Sequence, residues 1–322
     1  MAEAGHWRPT ASNAALRLRA EALRNARDFF QARNVLEVET PALVNAPVSD
    51  VNLGSVRVEM PGREAPLFLH TSPEYAMKRL LAAGSGDIFQ ICHVYRGAER
   101  GRQHNPEFTM LEWYRLGFSL EDLMREVAEL TRTLLGQPQL PSEFLTYRDA
   151  VRQHAGLDPL DAEIAELQRT AQELGLGADH ARAAGRDELL DLIVGARIGP
   201  SLGANTLTFM HRYPASQAAL ARLDDDPRVA LRFELYHRGM ELANGYHELT
   251  NSAEQRKRFA TDQQARMARG LPRFELDANL LAALDAGLPD CAGVALGFDR
   301  VLMLAAGAAS IDDVLAFPVE RA

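Results

Sequence analysis

The sequence predicts one long β-hairpin, and this hairpin determines the kind of sheet that the chain can form. Residues 88–96 read as a strand, residues 97–105 as a polar loop, and residues 107–115 as a returning strand. Strands joined by such a loop pair in opposite directions. The hairpin therefore indicates an antiparallel sheet.

Helices are predicted on both sides of this hairpin. Residues 14–33 have apolar side chains at three- and four-residue intervals, which is typical of an amphipathic helix. Further strands are predicted at 35–40, 67–70, 206–211, 232–236, between 240 and 249, and at 294–296, with a final helix at 298–306. This order favours an α+β fold, an antiparallel sheet flanked by helices. We expect one domain, residues 1–322, with a mostly helical insertion at about 119–200.

Composition narrows the class of protein. The chain carries 35 Lys and Arg against 44 Asp and Glu, a net charge of −9, which argues weakly against a nucleic acid as the main partner. Cys92 and Cys291 lie in apolar segments far apart, so we expect buried free thiols and a reducing cytoplasm. The sequence contains no secretory signal and no run of the roughly 20 apolar residues that span a bilayer. We therefore expect a cytoplasmic protein without a membrane partner.

The first strand of the hairpin carries a basic cluster. Alternate residues of a strand share a face, and one such face ends at Arg96. The loop adds charged and polar groups, and guanidinium groups offer forked donors to phosphates. We expect a polyphosphate here, while a solvated hairpin tip is the alternative. The face consists of Ile88, Gln90, Cys92, Val94 and Arg96, and the loop contributes Glu99, Arg100, Arg102, His104 and Asn105.

The returning strand offers a different surface. Phe108, Met110, Glu112 and Tyr114 share one of its faces. An aromatic ring, a carboxylate and a phenol form a poor core surface, because a buried carboxylate without a partner is costly. They suit a stacked base and an ammonium group. Solvent exposure of Glu112 is the alternative.

Two glutamates further along the chain suggest a metal ion. Glu241 and Glu248 are seven residues apart, so an unbroken strand would point them to opposite faces. Asn244–Gly245 is a bulge or turn signal that can return them to the same side. Converging carboxylates could hold Mg²⁺ on a nucleotide. A hairpin with two surface glutamates is the alternative.

The last strand leads into a helix that begins with a cation. Glycines at Gly293 and Gly297 bracket the strand, and Arg300 follows in the first helical turn. A cation is unfavourable at the positive end of a helix dipole, so its presence indicates an anion held there. A surface arginine is the alternative. The sequence has no P-loop, dinucleotide turn or Ser/His/Asp set.

Together these segments resemble the motifs of class II aminoacyl-tRNA synthetases, and of their lysyl branch in particular. Residues 29–41 resemble motif 1, residues 96–110 motif 2 and residues 293–300 motif 3, while residues 71–75 and 241–249 match the lysyl branch. Motif 1 begins within about the first thirty residues, so we expect no anticodon-binding OB domain. In this respect the chain resembles a stand-alone branch that adenylates β-lysine and passes it to a lysine side chain of elongation factor P.

The resemblance implies a role for each matching residue. Arg96 and Arg300 would be the catalytic cations, on the α- and γ-phosphates of ATP, and Glu241 and Glu248 would hold Mg²⁺. The nucleotide would also contact Gly97, Ala98, Asn105, Phe108, Leu242 and Gly297, and the amino acid would contact Ser72, Pro73, Glu74, Glu112, Tyr114 and Glu248. Motif 2 usually has a glutamate where this chain has Ala98, and the acid here is Glu99. Ala295 stands where lysyl-tRNA synthetases usually have glycine.

The implied reaction is attack of an amino-acid carboxylate on ATP. The resemblance implies lysine or β-lysine as substrate, elongation factor P as acceptor, a homodimer built through motif 1, and ATP with Mg²⁺. Transfer to tRNA is disfavoured by the acidic charge. Two alternatives stay open: a truncated lysyl-tRNA synthetase that still charges tRNA, and a catalytically silent paralogue that serves as a binding or regulatory subunit.

Overall fold

We describe residues 7–97 and 99–322 of a computed structural model of the chain. The strands are β1 (Leu36–Glu37), β2 (Leu43–Val44), β3 (Val56–Val58), β4 (Leu67–Leu69), β5 (Ile88–Tyr95), β6 (Glu107–Leu116), β7 (Ser142–Thr146), β8 (Leu207–Pro214), β9 (Val229–His237), β10 (Met240–His247) and β11 (Cys291–Gly297). The helices are α1 (Asn13–Gln31), α2 (Glu74–Ala82), α3 (Leu120–Leu135), α4 (Tyr147–Ala155), α5 (Ile164–Glu173), α6 (Ala178–Ala183), α7 (Arg186–Ile193), α8 (Ser252–Ala268), α9 (Ala278–Gly287) and α10 (Phe298–Ala306). None of the helices in this described part is long and apolar enough to cross a membrane.

The chain divides into two compact units. Unit 1 comprises Met1–Gly117, Glu129–Gln137 and Leu249–Ala322, and unit 2 comprises Phe118–Ala128 and Pro138–Glu248. Helix α3 therefore contributes residues to each unit. The prediction of a single domain over 1–322 stays a prediction.

Unit 1 contains the predicted hairpin. Its strands follow the order β1, β5, β6, β11, with antiparallel pairing at β5–β6 and β6–β11 and parallel pairing at β1–β5. A separate three-stranded sheet has the order β2, β4, β3.

Helix α1 covers one face of this hairpin. The ring of Phe30 stacks on Phe89 with centroids 4.4 Å apart, and it meets the edge of Trp113 at 5.3 Å. Phe89 and Trp113 are register partners, and Phe30 and Trp113 are fully buried. Because neighbouring residues of a strand point to opposite faces, Gln90 and Glu112 lie on the face away from α1. The apolar packing thereby assigns the polar residues to the other side.

Unit 2 contains strands in the order β10, β9, β8, β7, antiparallel except for the parallel β7–β8 pair. Helices α4, α5 and α7 form its apolar core together with β8. The buried members of this core include Tyr147, Leu167, Leu189, Leu190, Ile193 and Met210.

Gly203 and Gly239 allow close backbone approaches in unit 2, and Gly203 is the more constrained of them. Gly203 has a φ of +68°, and a Cβ there would lie 2.6 Å from the carbonyl oxygen of Tyr236. We expect Gly203→Ala to lower the free energy of unfolding by about 1 to 3 kcal/mol or more, because the left-handed backbone and the clash both oppose a side chain. Urea unfolding followed by circular dichroism measures the loss. Gly195→Ala is the matched control, because its added Cβ has no neighbour within 4 Å; an equal effect at both positions would contradict this explanation.

The α+β class and the antiparallel hairpin are confirmed, while several local predictions need correction. The predicted strand at 35–40 is reduced to β1, which has only two register partners in β5. Strand β7 lies in a region predicted to be helical, because Phe144 stacks on Phe209 of β8 at 5.2 Å, a long-range contact that local sequence does not reveal. Helix α9 was not predicted. Helix α10, by contrast, has the predicted bounds.

Candidate functional site

The register of the hairpin brings the predicted polar face together in unit 1. Gln90 pairs with Glu112, and Val94 pairs with Phe108. The two strands therefore share one face, as the alternation predicts. Beyond β5, the chain delivers Arg96 next to Phe108.

Arg96 lies between an aromatic ring and a carboxylate. Its guanidinium carbon lies 5.1 Å from the ring centroid of Phe108, and its Nη1 lies 3.5 Å from Oε1 of Glu99. Its Nε is buried and has no hydrogen-bond partner within residues 7–97 and 99–322. An arginine fixed on an aromatic ring with an unused buried donor fits an anionic ligand such as a phosphate.

Arg300 lies in the first turn of α10, where the sequence places it. Its Nη2 lies 2.6 Å from Nε2 of His104, and its Nε donates to the carbonyl of Gln103 at 3.4 Å. Burial, and then the guanidinium of Arg300, lower the pKa of His104, although Glu99 acts in the opposite direction. The imidazole is therefore neutral near pH 7, and its Nε2 can accept from Arg300. The structure thus places Arg300 beside the hairpin loop that follows Arg96.

A buried ion pair supports this region, and the sequence did not predict it. Asp299 is 1% exposed, forms an ion pair with Arg19 of α1, and accepts a hydrogen bond from the backbone N–H of Thr109 at 2.7 Å. Nη1 of Arg19 also donates to Oγ1 of Thr109 at 3.2 Å. These contacts join α1, β6 and α10. Asp299 precedes Arg300 directly, but nothing in the sequence indicates which cation it meets.

The remaining nucleotide-binding predictions in unit 1 are placed as follows. Asn105 is buried, and its amide donates to the carbonyl of Glu107 at 2.7 Å and accepts from the N–H of Val319 at 3.2 Å. The N–H of Gly97 donates to the carbonyl of Gly54 at 2.9 Å. Gly297 ends β11 opposite Met110 in the register. Ala98 lies outside the described residues.

The loop interpretation needs one correction. The sequence groups Arg100 with the phosphate-binding cations. However, Asp312 and Glu320 bind its guanidinium with their carboxylates, and both belong to the C-terminal segment, residues 310–322. Its donors are therefore already engaged by the protein.

A second cluster surrounds Glu112. The carboxylate is 2% exposed, and it accepts from Oγ of Ser72 and from the hydroxyl of Tyr114, both at 2.7 Å. The alternative of a solvent-exposed Glu112 is therefore wrong. Burial, followed by the charge of Glu112, raises the pKa of Cys92 to about 12, so that thiol is protonated at neutral pH.

Ser72 also lies next to the helix that carries the next acid. Its Oγ accepts from the N–H of Glu74 at 3.0 Å, and Pro73 occupies the N-cap position of α2. Nζ of Lys78 donates to Glu74 at 2.6 Å, a contact that was not predicted from the sequence. The i,i+4 spacing of this pair was the available signal.

A pocket of about 140 Å³ lies in unit 1 beside this helix. Ser72, Pro73 and Glu74 contribute to its lining, together with Tyr75 and Arg79. Three of the predicted substrate-binding residues therefore lie at one cavity.

The paired glutamates belong to unit 2. Glu241 pairs with Tyr236 while Ala243 pairs with Leu235, so the bulge lies at Leu242 rather than at the predicted Asn244–Gly245. The extra residue shifts the alternation of side chains by one position, so Glu241 lies on the same face as Asn244 and Tyr246. Continued alternation would give Glu248 the same face.

The environment of these acids decides between the alternatives. Glu248 is 1% exposed and Glu241 is half-buried, so the alternative of two surface glutamates is wrong. Two carboxylates on one face fit a hard divalent cation that takes its other ligands from phosphate and water. Within residues 7–97 and 99–322, no three His, Cys, Asp or Glu side chains are grouped for a metal ion.

Comparison with known proteins now identifies the class. The model of the family described as tRNA synthetases class II (D, K and N) matches residues 4–321. The chain belongs to this family.

Full-length relatives are similar to the chain within this class. It is 51% identical over 321 residues to the elongation factor P–(R)-β-lysine ligase of Pseudoalteromonas translucida, a match that covers 98% of each chain. It is 49% identical over 327 residues, all of each chain, to the ligases of the same name from Klebsiella pneumoniae subsp. pneumoniae and Salmonella dublin. The resemblance to the stand-alone branch is confirmed.

Proposed function

We propose that the chain uses ATP to activate (R)-β-lysine, or lysine, as its acyl-adenylate and transfers it to a lysine side chain of elongation factor P. The single observation that carries this proposal is the arrangement of β6. One face of this strand holds Phe108 beside Arg96 and, four residues or roughly 13 Å further on, the buried Glu112 with its partners. A cationic group beside an aromatic ring suits a nucleotide, and a buried carboxylate suits an ammonium group.

The first step is attack of the substrate carboxylate on the α-phosphorus of ATP. An oxygen–phosphorus bond forms, the bond to the β-phosphate oxygen breaks, and pyrophosphate leaves. This step needs positioning and charge stabilisation more than proton transfer. Arg96 would stabilise the α-phosphate and Arg300 the γ-phosphate, while Asn105, Phe108, Gly97, Ala98, Leu242 and Gly297 would line the nucleotide site.

The second step is attack of the acceptor amine on the adenylate carbonyl. An amide bond forms, the bond to the phosphate oxygen breaks, and AMP leaves. The attacking amine must be neutral, so it gives up a proton before or during the attack. The products are the modified acceptor, AMP and pyrophosphate.

Mg²⁺ would neutralise phosphate charge when it is bound, and Glu241 and Glu248 are its proposed ligands. Ser72, Pro73, Glu74, Glu112, Tyr114 and Glu248 are the proposed amino-acid contacts. A doubly cationic substrate fits a set of this many acids, because buried carboxylates need compensating charge. We further propose a cytoplasmic homodimer built through motif 1, in which the edge strand β1 presents the 55% exposed Leu36.

Amino-acid-dependent ATP–pyrophosphate exchange tests the activation step. The assay compares lysine, (R)-β-lysine and (S)-β-lysine with the purified full chain and Mg²⁺. We expect exchange with (R)-β-lysine and weaker exchange with lysine. Absence of exchange with every amino acid would instead support the silent paralogue.

Glu112→Gln tests the amino-acid contact. The substitution keeps the shape of the side chain and removes its charge, so an ion pair with the substrate ammonium becomes a weaker hydrogen bond to a neutral acceptor. We expect the KM for the amino acid to rise about tenfold, which corresponds to roughly 1.4 kcal/mol, while the KM for ATP changes little. Steady-state exchange kinetics measure both constants, and Glu129→Gln, an exposed change, is the control. An unchanged amino-acid KM would exclude a direct contact.

A further inference from the structure

The C-terminal segment binds the loop of the hairpin through Arg100. Asp312 accepts at Oδ1 from Nη1 of Arg100 at 3.1 Å and at Oδ2 from Nη2 at 3.0 Å. Glu320 accepts at Oε1 from Nε at 2.5 Å and at Oε2 from Nη2 at 2.7 Å. The guanidinium is therefore bound by two forked carboxylates. Such bidentate pairs fix orientation as well as charge.

Further contacts beyond Arg100 strengthen this connection. The N–H of Ile311 donates to the carbonyl of Arg102 at 2.9 Å, and the N–H of Val319 donates to Oδ1 of Asn105 at 3.2 Å. Nη1 of Arg100 also donates to the carbonyl of His104 at 3.2 Å. The C-terminal segment thus contacts the loop at several residues.

The C-terminal segment is itself anchored to the body of unit 1. The N–H of Thr10 donates to the carbonyl of Ala316 at 2.9 Å, and the N–H of Ala11 donates to that of Leu315 at 3.1 Å. Nη2 of Arg19 donates to the carbonyl of Val314, which is 1% exposed, at 3.0 Å. The segment can therefore act as a fixed support for the loop.

We propose that Arg100 is a positioning residue for the nucleotide, held by Asp312 and Glu320 so that the loop presents Arg96 and His104 in one arrangement. This inference rests on the proposed function, since it takes ATP as the ligand of Arg96 and Arg300. A polar hairpin loop left free would have to be ordered when the nucleotide binds, and a pre-ordered loop avoids that cost. We therefore expect loss of these contacts to weaken the binding of ATP and not of the amino acid. None of these contacts joins the C-terminal segment to Glu112 or its partners.

The double variant Asp312→Ala with Glu320→Ala tests the proposal in the full chain. We expect the KM for ATP in the exchange reaction to rise about tenfold or more, while kcat and the KM for the amino acid stay within twofold. Asp285→Ala is the matched control, because it breaks another exposed ion pair of unit 1, with Arg256. We expect this control to leave all three constants unchanged.

Charge exchange provides the readout that a merely structural role would not give. Arg100→Glu should raise the KM for ATP, and adding Asp312→Arg and Glu320→Arg should restore part of the loss. An unchanged KM for ATP in the double variant would overturn the proposal, and so would absence of rescue. It would also be overturned if kcat and the melting temperature fell while both KM values rose, because that pattern indicates general damage to the fold. Lack of exchange in the wild-type chain would overturn the proposed function as well, so the two failures are distinguishable.

Discussion

Replacement of Arg300 by alanine is expected to reduce ATP–pyrophosphate exchange by about 100- to 1000-fold, the size of effect seen when a preorganised donor to developing charge is removed. Arg300 lies in the first turn of α10, with its Nη2 2.6 Å from His104. A cation in that position opposes the helix dipole and is compensated when an anion binds. Exchange kinetics at saturating amino acid measure the loss.

Two further variants make this test specific. Arg300→Lys keeps the charge but loses the planar fork, so we expect an intermediate rate. Arg256→Ala removes an exposed arginine of the same unit, whose partner is Asp285, and should leave the rate unchanged. Normal exchange in the Arg300→Ala protein would remove this residue from the proposed mechanism.

Asp299→Ala is expected to cause a large loss of stability. Asp299 is 1% exposed and neutralises Arg19, so its removal leaves a largely buried guanidinium and the backbone N–H of Thr109 without their shared acceptor. Breaking a buried pair from one side typically costs about 3 to 5 kcal/mol. Urea unfolding of the full chain, monitored by tryptophan fluorescence, should show the shift, since Trp113 lies in the neighbouring strand β6.

The control for this experiment is Asp285→Ala. That pair is exposed, and exposed ion pairs contribute little to stability. A shift at Asp299 no larger than the shift at Asp285 would contradict the structural role assigned to the buried pair.

The sequence predicted those parts of the fold that depend on local pattern. The hairpin face of Gln90 and Glu112 follows from alternation, and helix α10 begins directly after Gly297, as predicted. Strand β7 was missed, because its pairing with β8 depends on residues more than sixty positions away. Strand pairing over such distances leaves no local signature in the sequence.

The candidate site was predictable to the same degree. Alternation placed Phe108 and Glu112 on one face, but it could not show that Glu112 is buried. Arg100 was grouped with the phosphate-binding cations because its partners, Asp312 and Glu320, lie more than two hundred residues further along the chain.

The position of the bulge in β10 was also beyond local sequence. It was expected at the Asn244–Gly245 pair, whereas Leu242 provides it. Asparagine followed by glycine is a strong turn signal, but the register with β9 decides where the extra residue falls. A bulge at either position places Glu241 and Glu248 on the same face of the strand.

The most direct test of the proposed function is the identity of the acceptor. The purified chain would be incubated with ATP, Mg²⁺ and labelled (R)-β-lysine, together with elongation factor P or with lysine-accepting tRNA in parallel reactions. We expect label on elongation factor P, dependent on ATP and located on a lysine side chain. Label on tRNA alone, or on neither acceptor despite active pyrophosphate exchange, would contradict the proposed transfer.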